Sequence, residues 1–241
     1  MRRVAPAVAQ SVSGAYGHKV AARNDDVLAA SAAATAYLVE TAGRASVVEL
    51  ARAAGISRRT FHRYFPAKED CLRPLVRDAM GVLVQALDER PDQESPAAAF
   101  VAAFAVAAGG AFAARTRSLV PVVLASPSLH AVWNHEAATG CDRLRPVLAR
   151  RLATVGAHGR EIEIVSDGLA VTLTSLALVA LHRAAEGDAD PVVVLEALCA
   201  RLGLYDLPLM RTSTITLSEG DDGDANGTSA RNSGRASRRS T

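Results

Sequence analysis

Apolar positions recur every three or four residues through most of this chain, and stretches that alternate apolar and polar residues are scarce. That period describes helices with one buried face, whereas half-buried strands would alternate. Val27, Leu28, Ser31, Ala34, Leu38 and Val39 mark a first helix over 24–41, capped by Asn24 or Asp25 and ended by Gly43. Val47, Leu50, Ala51 and Ala54 mark a short second helix, which Gly55 interrupts where a left-handed residue costs little. Ser57 caps a third short helix, and Pro66 breaks it. From 67 to 89 the run Leu72, Leu75, Val76, Ala79, Met80, Leu83, Val84 and Leu87 keeps helical spacing, with Pro74 predicting a local bend. Further helices are predicted over 97–114 (loosened by Gly109 and Gly110), 115–125, 129–155, 162–185 and 192–204.

The pattern therefore predicts an all-α protein of about nine helices. Residues 1–22 lack a sustained period and read as a disordered arm. Residues 23–66 form a three-helix head, and 67–210 an all-helical body. The helix over 67–89 is long enough to touch both. Residues 211–241 carry acids and then arginines among Ser, Gly and Asn, and read as a disordered tail.

Composition sharpens this. Hydrophobic residues make up 49% of the 241, but aromatics only 4%, so alanine and leucine carry the core and favour helix over sheet. Cys71, Cys141 and Cys199 stand far apart with no CxxC pair, which fits buried thiols in a reducing compartment. No stretch reads as eighteen clean apolar residues, 96–114 coming nearest, and Arg2 and Arg3 precede no secretory apolar block. A cytoplasmic protein with no membrane partner is expected.

Charge matters locally. The net charge is only +2, yet between Gly43 and Lys68 six basic residues (44, 52, 58, 59, 63 and 68) face one acid, Glu49. In the third helix Phe61 and Phe65 share one face. Arg58 and His62, Arg59 and Arg63, and Thr60 and Tyr64 form the other rows. An aromatic anchor behind a crowd of donors suits a helix that lies in a DNA major groove and braces on a partner helix.

The whole run Ser46-Val47-Val48-Glu49-Leu50-Ala51-Arg52-Ala53-Ala54-Gly55-Ile56-Ser57-Arg58-Arg59-Thr60-Phe61-His62-Arg63-Tyr64-Phe65-Pro66-Ala67-Lys68-Glu69-Asp70 resembles the DNA-binding domain of the TetR family of bacterial transcriptional regulators. Arg59 and His62 stand where many members have Gly and Tyr, and neither change loses a donor. The resemblance implies a helix-turn-helix head, a C-terminal ligand-sensing and dimerisation domain, and a homodimer through the last two long helices on a palindromic double-stranded operator. It also implies DNA contacts from Ser46, Ser57, Arg58, Arg59, Thr60, His62, Arg63, Tyr64 and Lys68, with Ser46 and Lys68 at helix starts. The apolar run Ile162, Val165, Leu169, Leu173, Leu176, Val179 and Leu181 is more than a lone surface helix needs, and Leu169 and Leu176 are expected in the dimer contact.

Catalytic chemistry finds little support. GxGxxG, GxxxxGK[ST] and GxSxG are absent. His130, His135 and Glu136 lack the spacing of a metal set, His158 sits in a Gly bend, and His182 lies on the apolar penultimate helix, where a hydrogen-bonded packing role is the default. No enzyme, cofactor or metal is expected. An effector of small apolar or amphipathic character is expected between alanine-rich helices, walled by Met80, Phe104, Phe112, Leu119 and Trp133, with His130, Asn134 and Arg117 as nearby polar groups. The rival readings are a constitutive or partner-controlled DNA-binding regulator, and a helical enzyme with an incidental basic head.

Overall fold

The computed structural model describes residues 8–154, 157, 159–187 and 189–206, with side chains from Asn24 onward except at 110–114 and 116. The first arm residues, the tail over 211–241 and His158 lie outside the described residues. Among those described, nine α-helices and one 3₁₀ turn account for the ordered backbone, and the fold is all-α.

Helix α1 spans Val8–Glu40 and so begins well before Asn24. The expected arm over 1–22 is corrected from residue 8 onward. Apolar period reports burial and not helicity. No proline interrupts 8–24, while Gly14 and Gly17 cost a helix only about 1 kcal/mol each. Helices α2 (Val47–Ala53) and α3 (Arg58–Tyr64) follow. A 3₁₀ turn, Lys68–Leu72, then leads into α4, Arg73–Asp88. Pro74 sits in the first turn of α4, where its missing N–H costs nothing, so it starts the helix and makes no bend.

The glycine pair separates α5 (Pro96–Ala107) from α6 (Gly110–Ala125). A Cβ at Gly109 would meet the Ala105 carbonyl oxygen at 2.7 Å, so the chain can turn this tightly only at glycine. Helix α7 runs unbroken from Pro127–Thr154, α8 spans Arg160–Gly187 and α9 spans Pro191–Arg201.

Two buried clusters share α4. One joins α1, α2, α3 and the 3₁₀ turn to Leu75 and Val76, and is completed by Leu119, Val120 and Val123 of α6 and Leu129 and Trp133 of α7. The other holds Leu83 and Leu87 of α4 with α5, the rest of α7, α8 and α9. Met80 and Leu181 pack against both. The head core thus runs past Pro66 into α4 and borrows two later helices.

Helix α8 is long and apolar enough to cross a bilayer, contrary to the expectation from sequence, and 39% of its most apolar window is buried. Leu169, Ala170, Leu173 and Ala177 of that helix pack into the chain's own core, the arrangement of a core helix. The same packing corrects the expected dimer residues. Leu169 is buried and Leu176 is half-buried against the core, whereas Ile164, Val171 and Val179 are the large apolar side chains of α8 left exposed.

Candidate nucleic-acid interface and its coupling to the body

The turn between α2 and α3 is fixed by short-range bonds. Ser46 caps α2: its hydroxyl accepts from the Glu49 N–H at 3.4 Å, and its own N–H donates to Glu49 Oε2 at 2.8 Å. At the other end Gly55 takes a φ of +67°. There the Ile56 N–H donates to the Ala51 carbonyl at 3.0 Å and the Gly55 N–H to that of Arg52 at 3.0 Å. This pairing closes a helix on a left-handed glycine and aims the chain into the next helix. Ser57 then caps α3, accepting from the Thr60 N–H at 3.1 Å.

Phe61 and Phe65 hold α3 down. Both are buried, with ring centroids 5.0 Å apart and edge-to-face. Their fixed direction turns Arg58, Arg59, His62 and Arg63 outward, and all four are exposed. Thr60 and Tyr64 are half-buried at the border of this face, and the Arg63 guanidinium lies 5.2 Å from the Tyr64 ring centre. Among the described residues no acid pairs with Arg58, Arg59 or Arg63. Ser46 and Ser57 are exposed caps whose hydroxyls already serve the backbone. Lys68 begins the 3₁₀ turn, half-buried, and its Nζ donates to the Ala45 carbonyl at 3.4 Å. It ties the start of α2 to the entry of α4.

Sequence reasoning missed the clamp that joins this head to the body. Glu136 of α7, 2% exposed, accepts from Arg73 Nη1 at 2.7 Å and from Arg77 Nε at 2.6 Å, both on α4. Burial pushes the Glu136 carboxyl up, but the hydrogen bonds from Arg77 and Arg73 outweigh it and hold the group below its usual range. Arg73 also reaches Asp70 at 2.7 Å. Near the opposite end of α4, Arg151 of α7 is 1% exposed and donates to the carbonyls of Leu87, Arg90 and Pro91 at 2.7, 2.6 and 2.8 Å. Leu87 lies in the last turn of α4, and Arg90 and Pro91 in the turn that follows it. Helix α7 therefore grips α4 at both ends.

Between the two grips lies a cavity of about 80 Å³. Met80, Phe104, Leu119 and Trp133 line it together, as the sequence suggested; the side chain of Phe112 lies outside the described residues. The expected polar groups do not. Asn134 is exposed, and Arg117 lines a separate depression with Asp190 that shares Ala108 and Leu181 with the cavity wall. His130 faces His182, ring centroids 6.0 Å apart. Burial, and secondly His130, lower the His182 pKa. Glu136 is spent on arginines, and no group of His, Cys, Asp and Glu suited to a metal ion occurs among the described residues.

No curated protein matches the chain. Residues 32–75, from the middle of α1 to the first turn of α4, match the family of bacterial regulatory proteins described as the tetR family.

Proposed function

The head of this chain is that of the tetR family of bacterial regulatory proteins, and on that premise we propose a repressor that leaves a palindromic operator when a small molecule enters the body. It is a DNA-binding regulator of that kind, without catalysis, working in the cytoplasm. The observation that carries the reading is α3. Two buried phenylalanines fix its orientation while four exposed donors, Arg58, Arg59, His62 and Arg63, stand free of acids among the described residues. Such a helix fits a major groove, where arginine reads guanine or holds phosphate.

Two copies are needed for a palindrome. The exposed apolar side chains Ile164, Val171 and Val179 of α8, with Val193 of α9, supply the surface for a homodimer through the last two helices. The cavity between α4 and α7 supplies the effector site. A guest there acts only if it binds the DNA-free conformation more tightly, since equal affinity shifts no population.

The test uses the purified full chain to select from random duplex DNA, followed by gel shifts of the selected site against unrelated DNA over a salt series. A palindromic site bound about 1,000-fold or more tightly than unrelated DNA is expected, with affinity falling steeply with salt. Equal affinity for all sequences would sink the reading.

A further inference from the structure

Among the described residues, the wall of the cavity between α4, α5, α7 and α8 carries no charged side chain, and Thr174 and Trp133 bring its only side-chain N–H and O–H groups. The Thr174 hydroxyl oxygen accepts from Cys141 Sγ at 3.5 Å. The indole N–H of Trp133 is buried with no partner among the described residues, an unmet donor in this wall. A charged guest would lose its hydration here without a counter-charge, a loss that hydrocarbon contact does not offset. At about 80 Å³ the space is roughly half the ~150 Å³ of an apolar protein cavity that stays dry and admits benzene. A guest of that size must therefore move a side chain.

Met80 is the side chain built to move. It is half-buried, flexible and packed against both cores. Its thioether fills the space over Gly140 of α7: a methyl there would collide with it, lying 3.2 Å from Sδ and closer to the terminal carbon. With a larger residue at 140, Met80 would have to turn away, and the adjoining free space is the cavity whose wall it forms.

We propose that the Gly140 notch keeps Met80 out of the cavity, and that the room so preserved takes an uncharged, compact hydrophobic molecule. This rests on reading the cavity as the effector site, and it names the effector's chemistry. Trp133 is the chain's only tryptophan, so its emission reports on this wall alone.

The experiment titrates the full chain with toluene, benzoate and benzylamine, one ring carrying no charge, a negative or a positive one. Trp133 emission should respond saturably to toluene, and to the two ions about 100-fold more weakly or not at all. Gly140→Ala should weaken toluene about tenfold by driving Met80 into the cavity, and Met80→Ala should tighten it and admit naphthalene. Benzoate binding as well as toluene would overturn the proposal and place an acidic head in the depression lined by Arg117. No response to toluene in the unmodified chain would overturn it, as would indifference to Met80→Ala, a variant that stays informative if Gly140→Ala fails to fold. Gel shifts on the selected DNA run in parallel. Saturable toluene binding with unchanged DNA affinity supports the ligand class and removes the regulatory reading. DNA release by a charged compound alone does the reverse.

Discussion

Glu136 and its two arginines form an asymmetric clamp, and the asymmetry sets which substitution hurts. The carboxylate side chain is 1% exposed, while Arg73 and Arg77 are 30% and 61% exposed. Glu136→Gln removes the buried charge and leaves two arginines that reach water, at a cost of about 1–2 kcal/mol for the weakened hydrogen bonds. Replacing both arginines with methionine leaves a buried carboxylate without a counter-charge, at about 3–5 kcal/mol near neutral pH. The pH dependence separates the cases further. In the native chain the carboxyl is held below 4.5, its ordinary value, so the clamp contributes stability above that pH and loses it as pH falls through the depressed value. Without the arginines, burial alone acts and raises the carboxyl. The penalty in the double variant should then shrink as acid protonates it. Urea unfolding at pH 7 and pH 5 measures both effects. Equal penalties for the two variants, or a double-variant penalty independent of pH, would refute the reasoning.

Arg151→Met should cost at least about 3 kcal/mol in the same assay, because the carbonyls of Leu87, Arg90 and Pro91 lose a shared donor. Glutamate at Val171 and Val179 should split a homodimer in light scattering and leave the helical content intact. Leu169→Glu should unfold the chain instead, since that side chain is in its own core. Gly55→Ala should lower stability by about 1–2 kcal/mol through its φ of +67° alone, as no atom lies within 4 Å of the new methyl. Arg59→Ala should lose about 1–3 kcal/mol of discrimination at one base pair if it reads a base, and weaken all DNA equally if it holds phosphate.

The turn between α2 and α3 was readable from sequence because every bond that shapes it is local. Both caps join residues three apart, and the glycine closure at Gly55 spans residues 51–56. The helices of the body were readable from period and breakers, except that the break expected between 114 and 115 falls at the Gly109 and Gly110 pair. Which face of α8 points inward was not, because that helix is apolar nearly all round. Leu169 and Val171 look alike in sequence and differ only in what packs beside them. The cavity wall was partly readable, since small residues around Met80, Phe104, Leu119 and Trp133 leave space between helices. Its polar neighbours were not: Asn134 follows Trp133 directly and so turns about 100° away on the helix. The clamp had no sequence signal. Glu136 stands 63 and 59 residues from its partners, and only the packing of α7 on α4 brings them together.

The head core draws Leu119, Val120, Val123, Leu129 and Trp133 from helices that leave the ribosome long after α3. A nascent chain ending near residue 75 contains every exposed donor of α3, but its apolar underside stays wet until roughly sixty more residues have been made, several seconds at ordinary elongation rates. The three-helix head is therefore not a portable module. A chain cut after α4 should expose Leu75 and Val76, aggregate or melt, and bind DNA poorly, whereas one carried through α7 regains the missing part of its floor. The head completes its apolar floor only once the helix that also walls the cavity has been synthesised, so the two are made together.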